Sequence, residues 1–235
     1  MGSTTRAWVW QDDELRHVQR IFDAQQQGKL RRVLDAGAGY TMPLHIPLET
    51  HLVALDSSAE ALARNENANE TIVGDIQTWE ASEPFDAAIC WWTLEHLPRP
   101  KAAIERLAAV LRPGGLLLIG VPYLWGFKAI VTKLTPFRFH LWLARRSDPN
   151  AGRDGVAPFP TYMHPDISPR RIQRIAAENG LHPLYVNTYS MNPEQRLPGP
   201  LRLVWRTVGY TVRVLTFSRY DPLLSEHVAL FRKAS

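Results

Sequence analysis

The chain has 235 residues, of which 45% are hydrophobic and 21% charged; this balance is typical of globular proteins and argues against a wholly disordered chain. Its single cysteine, Cys90, excludes a disulfide within the chain, and no Cys/His spacing is that of a zinc site. The net charge of +4 is unevenly distributed, because residues 1–120 hold 11 basic and 16 acidic residues, whereas residues 121–219 hold 14 basic and five acidic ones. The second half is therefore expected to meet an anionic partner or to carry a solvated basic surface.

No apolar stretch is long enough to cross a bilayer, since the longest strongly apolar run covers only residues 116–121. The chain begins with polar residues rather than with the basic and apolar regions of a signal peptide. We therefore expect a cytoplasmic protein.

The first 120 residues alternate short apolar runs with helical patterns, which predicts βαβ units and a parallel sheet. Helices are predicted over 12–27, from a cap at Ser57 or Ser58 to residue 63, and over 101–111, where Arg-Pro-Gly-Gly follows. Strands are predicted at 32–35, 51–55, 71–73, 85–91 and 116–121.

The pattern changes after the fifth strand. Residues 123–146 interleave apolar and basic residues without a single acid, and a loop rich in Pro, Gly and Asp follows at 147–165. A helix is then predicted over 168–179, with strands at 181–189 and 226–232. A second aromatic and basic helix is predicted over 200–217, with an apolar stripe formed by Leu201, Val204, Trp205, Val208, Val212 and Leu215.

The strongest chemical signal is an acid followed by two glycines at the end of the first strand. Asp35 precedes Gly37 and Gly39, and glycines at these positions permit a sharp turn and the close approach of a ligand. Asp56 ends the second strand, 19 residues after Gly37, close to the ~20-residue interval at which an acid reaches a ribose hydroxyl. The pattern predicts a nucleoside site at this edge of the sheet.

The same turn disfavours a dinucleotide. A third glycine would let a pyrophosphate approach the following helix, but Thr41, Met42 and Pro43 stand there. An acid directly before the glycines, Asp35, is also unfavourable beside a pyrophosphate and suits a positively charged ligand. S-adenosylmethionine, which has an ammonium group and a sulfonium but no phosphate, fits these requirements.

Six segments in order resemble class I S-adenosylmethionine-dependent methyltransferases, close to the methyltransferase type 11 group and the ubiquinone/menaquinone methyltransferases. They are Val-Leu-Asp-Ala-Gly-Ala-Gly at 33–39, Val-Ala-Leu-Asp-Ser-Ser at 53–58, Val-Gly-Asp-Ile at 73–76, Phe-Asp-Ala-Ala-Ile-Cys at 85–90, Leu-Glu-His-Leu-Pro-Arg-Pro at 94–100 and Leu-Arg-Pro-Gly-Gly-Leu-Leu-Leu-Ile at 111–119. The resemblance implies a Rossmann-like α/β fold whose seven-stranded sheet is mostly parallel, with an antiparallel last strand and helices on both faces. It also implies a single domain over 1–235, with substrate-cover insertions at about 123–167 and 190–224.

The resemblance further implies a set of cofactor-binding residues: Asp35, Gly37, Gly39, Asp56, Ser57, Asp75, Ile76, Cys90 and Trp91. The first acid and the glycines would frame the methionine part, and Asp56 would hold both ribose hydroxyls. Asp75 would bind the adenine amino group, with Ile76 beside the ring. The last two residues would line the methyl-transfer pocket, although Cys90 also fits the alternative of a small buried hydrophobe.

Glu95 and His96 match a Glu-His turn of ubiquinone-pathway O-methyltransferases. In those enzymes a further acid, three residues before the Glu, helps to hold a divalent metal, but Trp92 occupies that position here, and we predict no metal.

A hydroxyl acceptor requires a general base, for which His96 and His164 are the candidate catalytic residues and His140 a further one. A carbon acceptor beside an enolate or phenol would need no strong base.

The segments 123–146 and 200–219 lie where this family places its variable substrate cover. Their mixture of Trp, Phe and Leu with basic residues suits peripheral contact with an anionic membrane, or an ordinary lid that packs on the sheet. Cys90-Trp91-Trp92-Thr93 differs from the Asn/Asp-Pro-Pro-aromatic motif of base methyltransferases, which argues against nucleic acid and leaves tRNA as a lesser alternative.

These observations predict transfer of a methyl group from S-adenosylmethionine to oxygen or carbon of a small, hydrophobic or lipid-linked acceptor. The rival hypothesis is a methyltransferase-like binding module that docks on a membrane or a partner without turnover.

Overall fold

Seven strands form one sheet in the computed structural model, which describes residues 13–26, 28, 30–39, 42–145, 159–192, 197 and 199–235. The strands are β1 (Arg32–Ala36), β2 (His51–Asp56), β3 (Glu70–Val73), β4 (Phe85–Trp91), β5 (Leu111–Pro122), β6 (Leu181–Tyr189) and β7 (Glu226–Lys233). The helices are α1 (Asp13–Gln25), α2 (Ala59–Leu62), α3 (Pro100–Val110), α4 (Phe127–Leu134), α5 (Phe137–Ala144), α6 (Pro169–Glu178) and α7 (Gly199–Leu215), with 3₁₀ turns at Leu94–His96 and Pro165–Ile167.

The strand order β3-β2-β1-β4-β5-β7-β6 confirms the predicted sheet. The first five strands run parallel to one another, and β7 lies antiparallel between β5 and β6. Strands β2 and β3 lie on one side of β1, whereas β4 and β5 lie on its other side. The carboxyl ends of β1 and β4 therefore flank the point where the strand order reverses. Ligands of open α/β sheets bind in the crevice at such a point.

Helices cover both faces of the sheet. On one face α1 buries Val18 and Phe22 in a core that includes Val33 of β1. On the other face α3 and α6 contribute Ile104 and Ile172 to the larger core. The central strands are apolar on both faces because each face is covered, as parallel sheets require.

Most predicted elements lie within a few residues of the observed ones, and β4 and β6 have the predicted bounds. The prediction for the end of α3 was wrong in detail, since this helix ends at Val110 and β5 begins at Leu111 rather than at residue 116. The reason is that Leu111 already pairs with Phe85, before the regular register starts. The predicted helix ends at residues 12 and 27 and the loop residues 147–158 lie outside the described residues.

The predicted apolar stripe of α7 was only partly correct. Trp205 and Val212 are partly buried, and Gly209 is buried where an added Cβ would lie 2.3 Å from the Leu223 side chain. The other members of the stripe are exposed to solvent: Leu201, Val204, Val208 and Leu215. Helix α7 therefore packs through a narrower face than its pattern predicts.

The turn after β1 packs tightly against the loop after β4. Gly37 has a φ of +73°, and its amide donates a hydrogen bond to the Leu55 carbonyl at 2.7 Å. The Thr93 hydroxyl lies 3.3 Å from the Gly37 carbonyl and 3.2 Å from that of Trp91. A Cβ on Gly37 would lie 2.1 Å from the Thr93 Oγ1 atom, so both the backbone conformation and the lack of space require glycine.

We predict that Gly37→Ala destabilises the protein more than Gly180→Ala does. Gly180 has nearly the same φ, +72°, but open space around its Cα, so its variant measures only the cost of the left-handed conformation, about 1–2 kcal/mol. Gly37→Ala should lose about 1–3 kcal/mol more, because Thr93 must move. Urea denaturation gives both values, and equal losses in the two variants would contradict the packing described here.

Candidate active site

The Asp56 carboxylate joins the loops that follow β1 and β2. Its Oδ2 atom accepts a hydrogen bond from the Gly39 amide at 2.9 Å, and its Oδ1 atom accepts one from the Ser58 amide at 2.8 Å. A carboxylate has about four acceptor sites, so two remain available on this partly exposed group. Asp56 can therefore accept hydrogen bonds from two ribose hydroxyls while it holds both loops, and the neighbouring Ser57 is exposed beside it.

The Gly39 amide determines which ligands the crevice suits. Phosphate sites at such turns depend on free backbone N–H groups, but this N–H donates to Asp56. Asp35 is buried at the end of β1, and burial together with the nearby Asp56 carboxylate raises its pKa well above the ordinary value. A cationic group placed beside Asp35 would stabilise its ionised form. The residues present thus fit a positively charged nucleoside better than a pyrophosphate.

Asp75 follows β3 at the same edge of the sheet and is fixed by Gln77. The Asp75 Oδ1 atom accepts hydrogen bonds from both the backbone amide and the side-chain amide of Gln77, each at 2.9 Å. The Gln77 Oε1 atom in turn accepts one from the Arg99 amide, just before α3. Asp75 is exposed, whereas Ile76 packs in the core. Sequence reasoning missed Gln77, although its position two residues after an Asp is typical of an Asx turn.

At the end of β4, the structure places Cys90 and Trp91 on opposite faces of the sheet. Cys90 is completely buried in the core, and burial, with the nearby Glu95 and Asp35 carboxyls, raises the pKa of its thiol. The Trp91 ring lies over Gly120 of β5, where an added Cβ would be 2.2 Å from it. Its indole Nε1 atom is buried and has no hydrogen-bond partner among the described residues.

Glu95 anchors the described segment that contains Tyr162 and Met163. Its backbone carbonyl accepts hydrogen bonds from the amides of Tyr162 at 2.8 Å and Met163 at 3.2 Å. Its side chain is buried, and within the described part of the chain its Oε2 atom has no hydrogen-bond partner. Burial, reinforced by the Glu226 carboxylate, raises the pKa of Glu95 to about 8, so this carboxyl is mostly protonated at neutral pH.

His96 is oriented by the same segment. Its Nδ1 atom lies 2.6 Å from the Pro160 carbonyl oxygen, which can only accept, so Nδ1 carries the proton and Nε2 is the free acceptor. The Nε2 atom lies 3.9 Å from Glu95 Oε1. Burial lowers the pKa of His96, which keeps the ring neutral. The structure therefore brings together a protonated carboxyl and a neutral imidazole.

The other two candidate bases are engaged elsewhere. The His164 Nδ1 atom accepts a hydrogen bond from the Asp166 amide at 3.2 Å, and caps the 3₁₀ turn that follows. The Asp166 side chain also pairs with Arg171, at 2.9 Å. His140 Nε2 lies 2.7 Å from the Thr135 hydroxyl. These contacts occupy one ring nitrogen of each histidine.

Sequence reasoning missed an ion pair at this edge, in which a buried carboxylate binds a partly exposed lysine. Glu226 begins β7, and because β7 is antiparallel its first residue lies beside the carboxyl end of β5. The buried Glu226 carboxylate accepts hydrogen bonds from Trp92 Nε1 at 3.1 Å and from Lys128 Nζ of α4. The Lys128 ammonium also lies 5.4 Å from the centre of the Trp92 ring, and Trp92 has a φ of +51°, which is rare for a bulky residue.

The residues that the structure describes contain no group of three His, Cys, Asp or Glu side chains arranged to hold a metal ion. Over the same residues, no helix combines the length and the apolar character that a membrane span requires.

Comparison with known proteins places the chain in a family. The family model described as a methyltransferase domain matches residues 10–185. The ubiquinone biosynthesis O-methyltransferase of Xylella fastidiosa is 32% identical over 99 residues, which cover 37% of this chain and 40% of that protein. The tRNA (carboxymethyluridine(34)-5-O)-methyltransferase of Arabidopsis thaliana is 32% identical over 139 residues, which cover 54% of this chain and 34% of that protein. The matches thus span less than half the length of these curated relatives.

Solved structures agree on the fold. A SAM-dependent methyltransferase from Archaeoglobus fulgidus superimposes with a TM-score of 0.55 and 14% sequence identity, covering 94% of each chain. At this identity the likeness concerns the fold alone, whereas the family model covers most of the chain. The chain therefore belongs to the methyltransferase domain family and has the fold of the class I S-adenosylmethionine-dependent methyltransferases.

Proposed function

We propose that this protein transfers a methyl group from S-adenosylmethionine to oxygen or carbon of a small, hydrophobic or lipid-linked acceptor. The observation that carries the proposal is the crevice at β1 and β2, where the Gly39 amide is used by Asp56 and a second carboxyl, Asp35, is buried. Such a site attracts a positively charged ligand through its two carboxyl groups and leaves no Gly39 N–H group for a phosphate. Family membership supports the same activity.

Each part of the cofactor has a candidate partner. Asp35, with the backbone at Gly37 and Gly39, would hold the amino acid part, and the two free acceptor sites of Asp56 would hold the ribose, beside Ser57. The adenine would lie near the loop after β3, where Gln77 orients the Asp75 carboxylate beside Ile76. When bound, the cofactor supplies an already activated methyl group, so the protein has to align the acceptor, exclude water and manage one proton.

His96 is the stronger of the two candidate bases. The Pro160 carbonyl holds the Nδ1 proton, which leaves Nε2 to accept a proton from an acceptor hydroxyl. Glu95 already carries a proton at neutral pH, so its role would be to orient the acceptor or His96 rather than to take the proton. His164 stays a second candidate through its Nε2 atom, since Nδ1 caps the following turn.

The curated relatives favour oxygen over carbon as the accepting atom, because the two compared above carry O-methyltransferase names. The apolar and basic segments 123–146 and 200–219 favour a hydrophobic acceptor reached at a membrane surface. A tRNA acceptor and a binding module without turnover are the alternatives that experiments must separate.

We predict that the protein binds S-adenosylhomocysteine with micromolar-range affinity and that Asp56→Ala abolishes this binding, as measured by calorimetry. Because Asp56 also holds the Gly39 and Ser58 amides, thermal melting must show that the variant is folded. Asp56→Asn is the matched variant of equal size, and it should also bind weakly because one acceptor oxygen becomes a donor. A wild-type protein that binds neither S-adenosylhomocysteine nor S-adenosylmethionine would end the proposal.

We predict a pH-dependent stability difference between the wild type and Glu95→Gln. Folded Glu95 keeps its proton up to about pH 8, whereas the ordinary value is 4.5, so unfolding releases a proton between these values. The free energy of unfolding of the wild type therefore falls as the pH rises from 4.5 to about 8, with a slope of up to ~1.4 kcal/mol per pH unit from Glu95.

The Glu95→Gln variant lacks this slope and should gain stability relative to the wild type between pH 5 and pH 9 in urea denaturation. Glu105→Gln, at a partly exposed residue of α3 that pairs with Lys101, controls for the loss of a carboxylate elsewhere. Parallel stability curves for wild type and Glu95→Gln would show that the Glu95 carboxyl is not protonated in the folded protein.

We predict that labelled S-adenosylmethionine, incubated with the protein and a fractionated cell extract, transfers its label mainly into the chloroform-extractable fraction. His96→Asn should lower this incorporation by at least about 100-fold if it is the base, because general-base catalysis contributes about that much. Label in the RNA fraction would instead support the tRNA alternative. S-adenosylhomocysteine binding without incorporation into any fraction would support the binding module.

A further inference from the structure

Helix α7 presents an apolar outer face that no described part of the protein covers. Leu203 is 68% exposed, Val214 and Leu215 are each 72% exposed, and Phe217, just after the helix, is 87% exposed. Further apolar side chains on the same helix are exposed as well: Leu201, Val204, Val208 and Tyr210. Thr207 and Thr211 are exposed polar residues among them. Globular monomers rarely expose apolar side chains in this number on one face unless something binds there.

Basic residues border this apolar face on one side. At 100° per residue, Arg202, Arg206 and Arg213 fall in one row along the helix, beside the packed residues Trp205 and Gly209. Residues 199–219 contain no acidic residue. Arg213 pairs with Asp221 at 3.2 Å, while Arg202 and Arg206 are exposed. The helix thus combines a wide apolar arc with a basic flank, the pattern of a helix that lies in a membrane interface.

Contacts connect α7 to the methyl-transfer edge of the sheet. The Trp205 ring packs edge-on against Phe127, the first residue of α4, with 5.4 Å between ring centres. The next residue, Lys128, binds Glu226, which also accepts a hydrogen bond from Trp92 at the end of β4. A membrane or partner bound by α7 would therefore lie close to α4 and, through Lys128, to the end of β4.

We propose that the outer face of α7 docks on an anionic lipid bilayer, with its apolar side chains at the boundary between headgroups and acyl chains and its arginine row against the headgroups. Charge complementarity selects this partner, because residues 199–219 contain no acidic residue and Asp221 pairs with Arg213, so Arg202 and Arg206 supply the exposed positive charge of the row. RNA fits less well, since the exposed side chains are mostly aliphatic, whereas single-stranded RNA is bound by stacking on aromatic rings. The proposal rests on the proposed function, because docking through α7 would bring the site close to a methyl acceptor that is dissolved in the bilayer.

Vesicle flotation with the 235-residue chain tests the proposal. The wild type should float with vesicles of phosphatidylcholine and phosphatidylglycerol at low salt, and less with phosphatidylcholine alone or at high salt. Leu203→Ser/Val214→Ser should lower the bound fraction about tenfold, because both side chains enter the interface. Arg206→Gln should weaken binding to the anionic vesicles about fivefold. Leu48→Ser, at a side chain that is 50% exposed just before β2, is the matched control and should float like the wild type.

The proposal is overturned if the wild type stays at the bottom of the gradient at low salt, or if Leu203→Ser/Val214→Ser floats as well as the wild type. It is also overturned if light scattering shows a dimer that the double variant dissociates, or if the variant loses RNA retention instead of flotation. Calorimetry with S-adenosylhomocysteine on the same proteins separates the two hypotheses. Flotation without cofactor binding would contradict the proposed function but support the docking surface on α7. Cofactor binding without flotation would support the proposed function and contradict the docking surface.

Discussion

The hydrogen bonds of the Asp56 carboxylate to the amides of Gly39 and Ser58 connect the two loops that form the crevice. They require the backbone after β1 to turn sharply at Gly37, which leaves no room for a side chain against Thr93. They also use the N–H group that a phosphate would otherwise bind. The same carboxylate, together with burial, makes ionisation of Asp35 costly until a cation is present. One interaction therefore holds both loops, and it underlies our proposal that the crevice binds a cationic nucleoside.

A second set of polar groups lies where β4 and β5 end and β7 begins. Lys128 brings α4 to Glu226, and Glu226 holds the Trp92 indole next to β4. Glu95 lies near enough for the Glu226 charge to raise its pKa, and its backbone carbonyl binds the segment that also orients His96. An ion pair with a buried carboxylate contributes little net stability when desolvation is counted, so its main effect here is to fix the position of α4 against β7.

The sequence predicted the sheet and its crevice well, because strand periodicity, the glycine turn and the strand-end acids are local patterns. The fold and the family it implied are confirmed, while the roles of the individual site residues stay predictions. The ion pair of Glu226 and Lys128 was not predictable, since it depends on an antiparallel strand that places residue 226 beside the end of β5. The buried face of α7 was predicted only in part, because apolar residues occupy most of the circumference of this helix. The face that packs is the one on which Gly209 lies against Leu223, a contact that the pattern of the sequence does not reveal.

A crystal structure of the protein grown with S-adenosylhomocysteine tests the central claim most directly. Our account predicts that both ribose hydroxyls lie within hydrogen-bond distance of the Asp56 carboxylate and that the amino group of the ligand faces Asp35. A nucleoside bound away from these two carboxyls, or a crevice that instead accepts a pyrophosphate against the Gly39 amide, would contradict it.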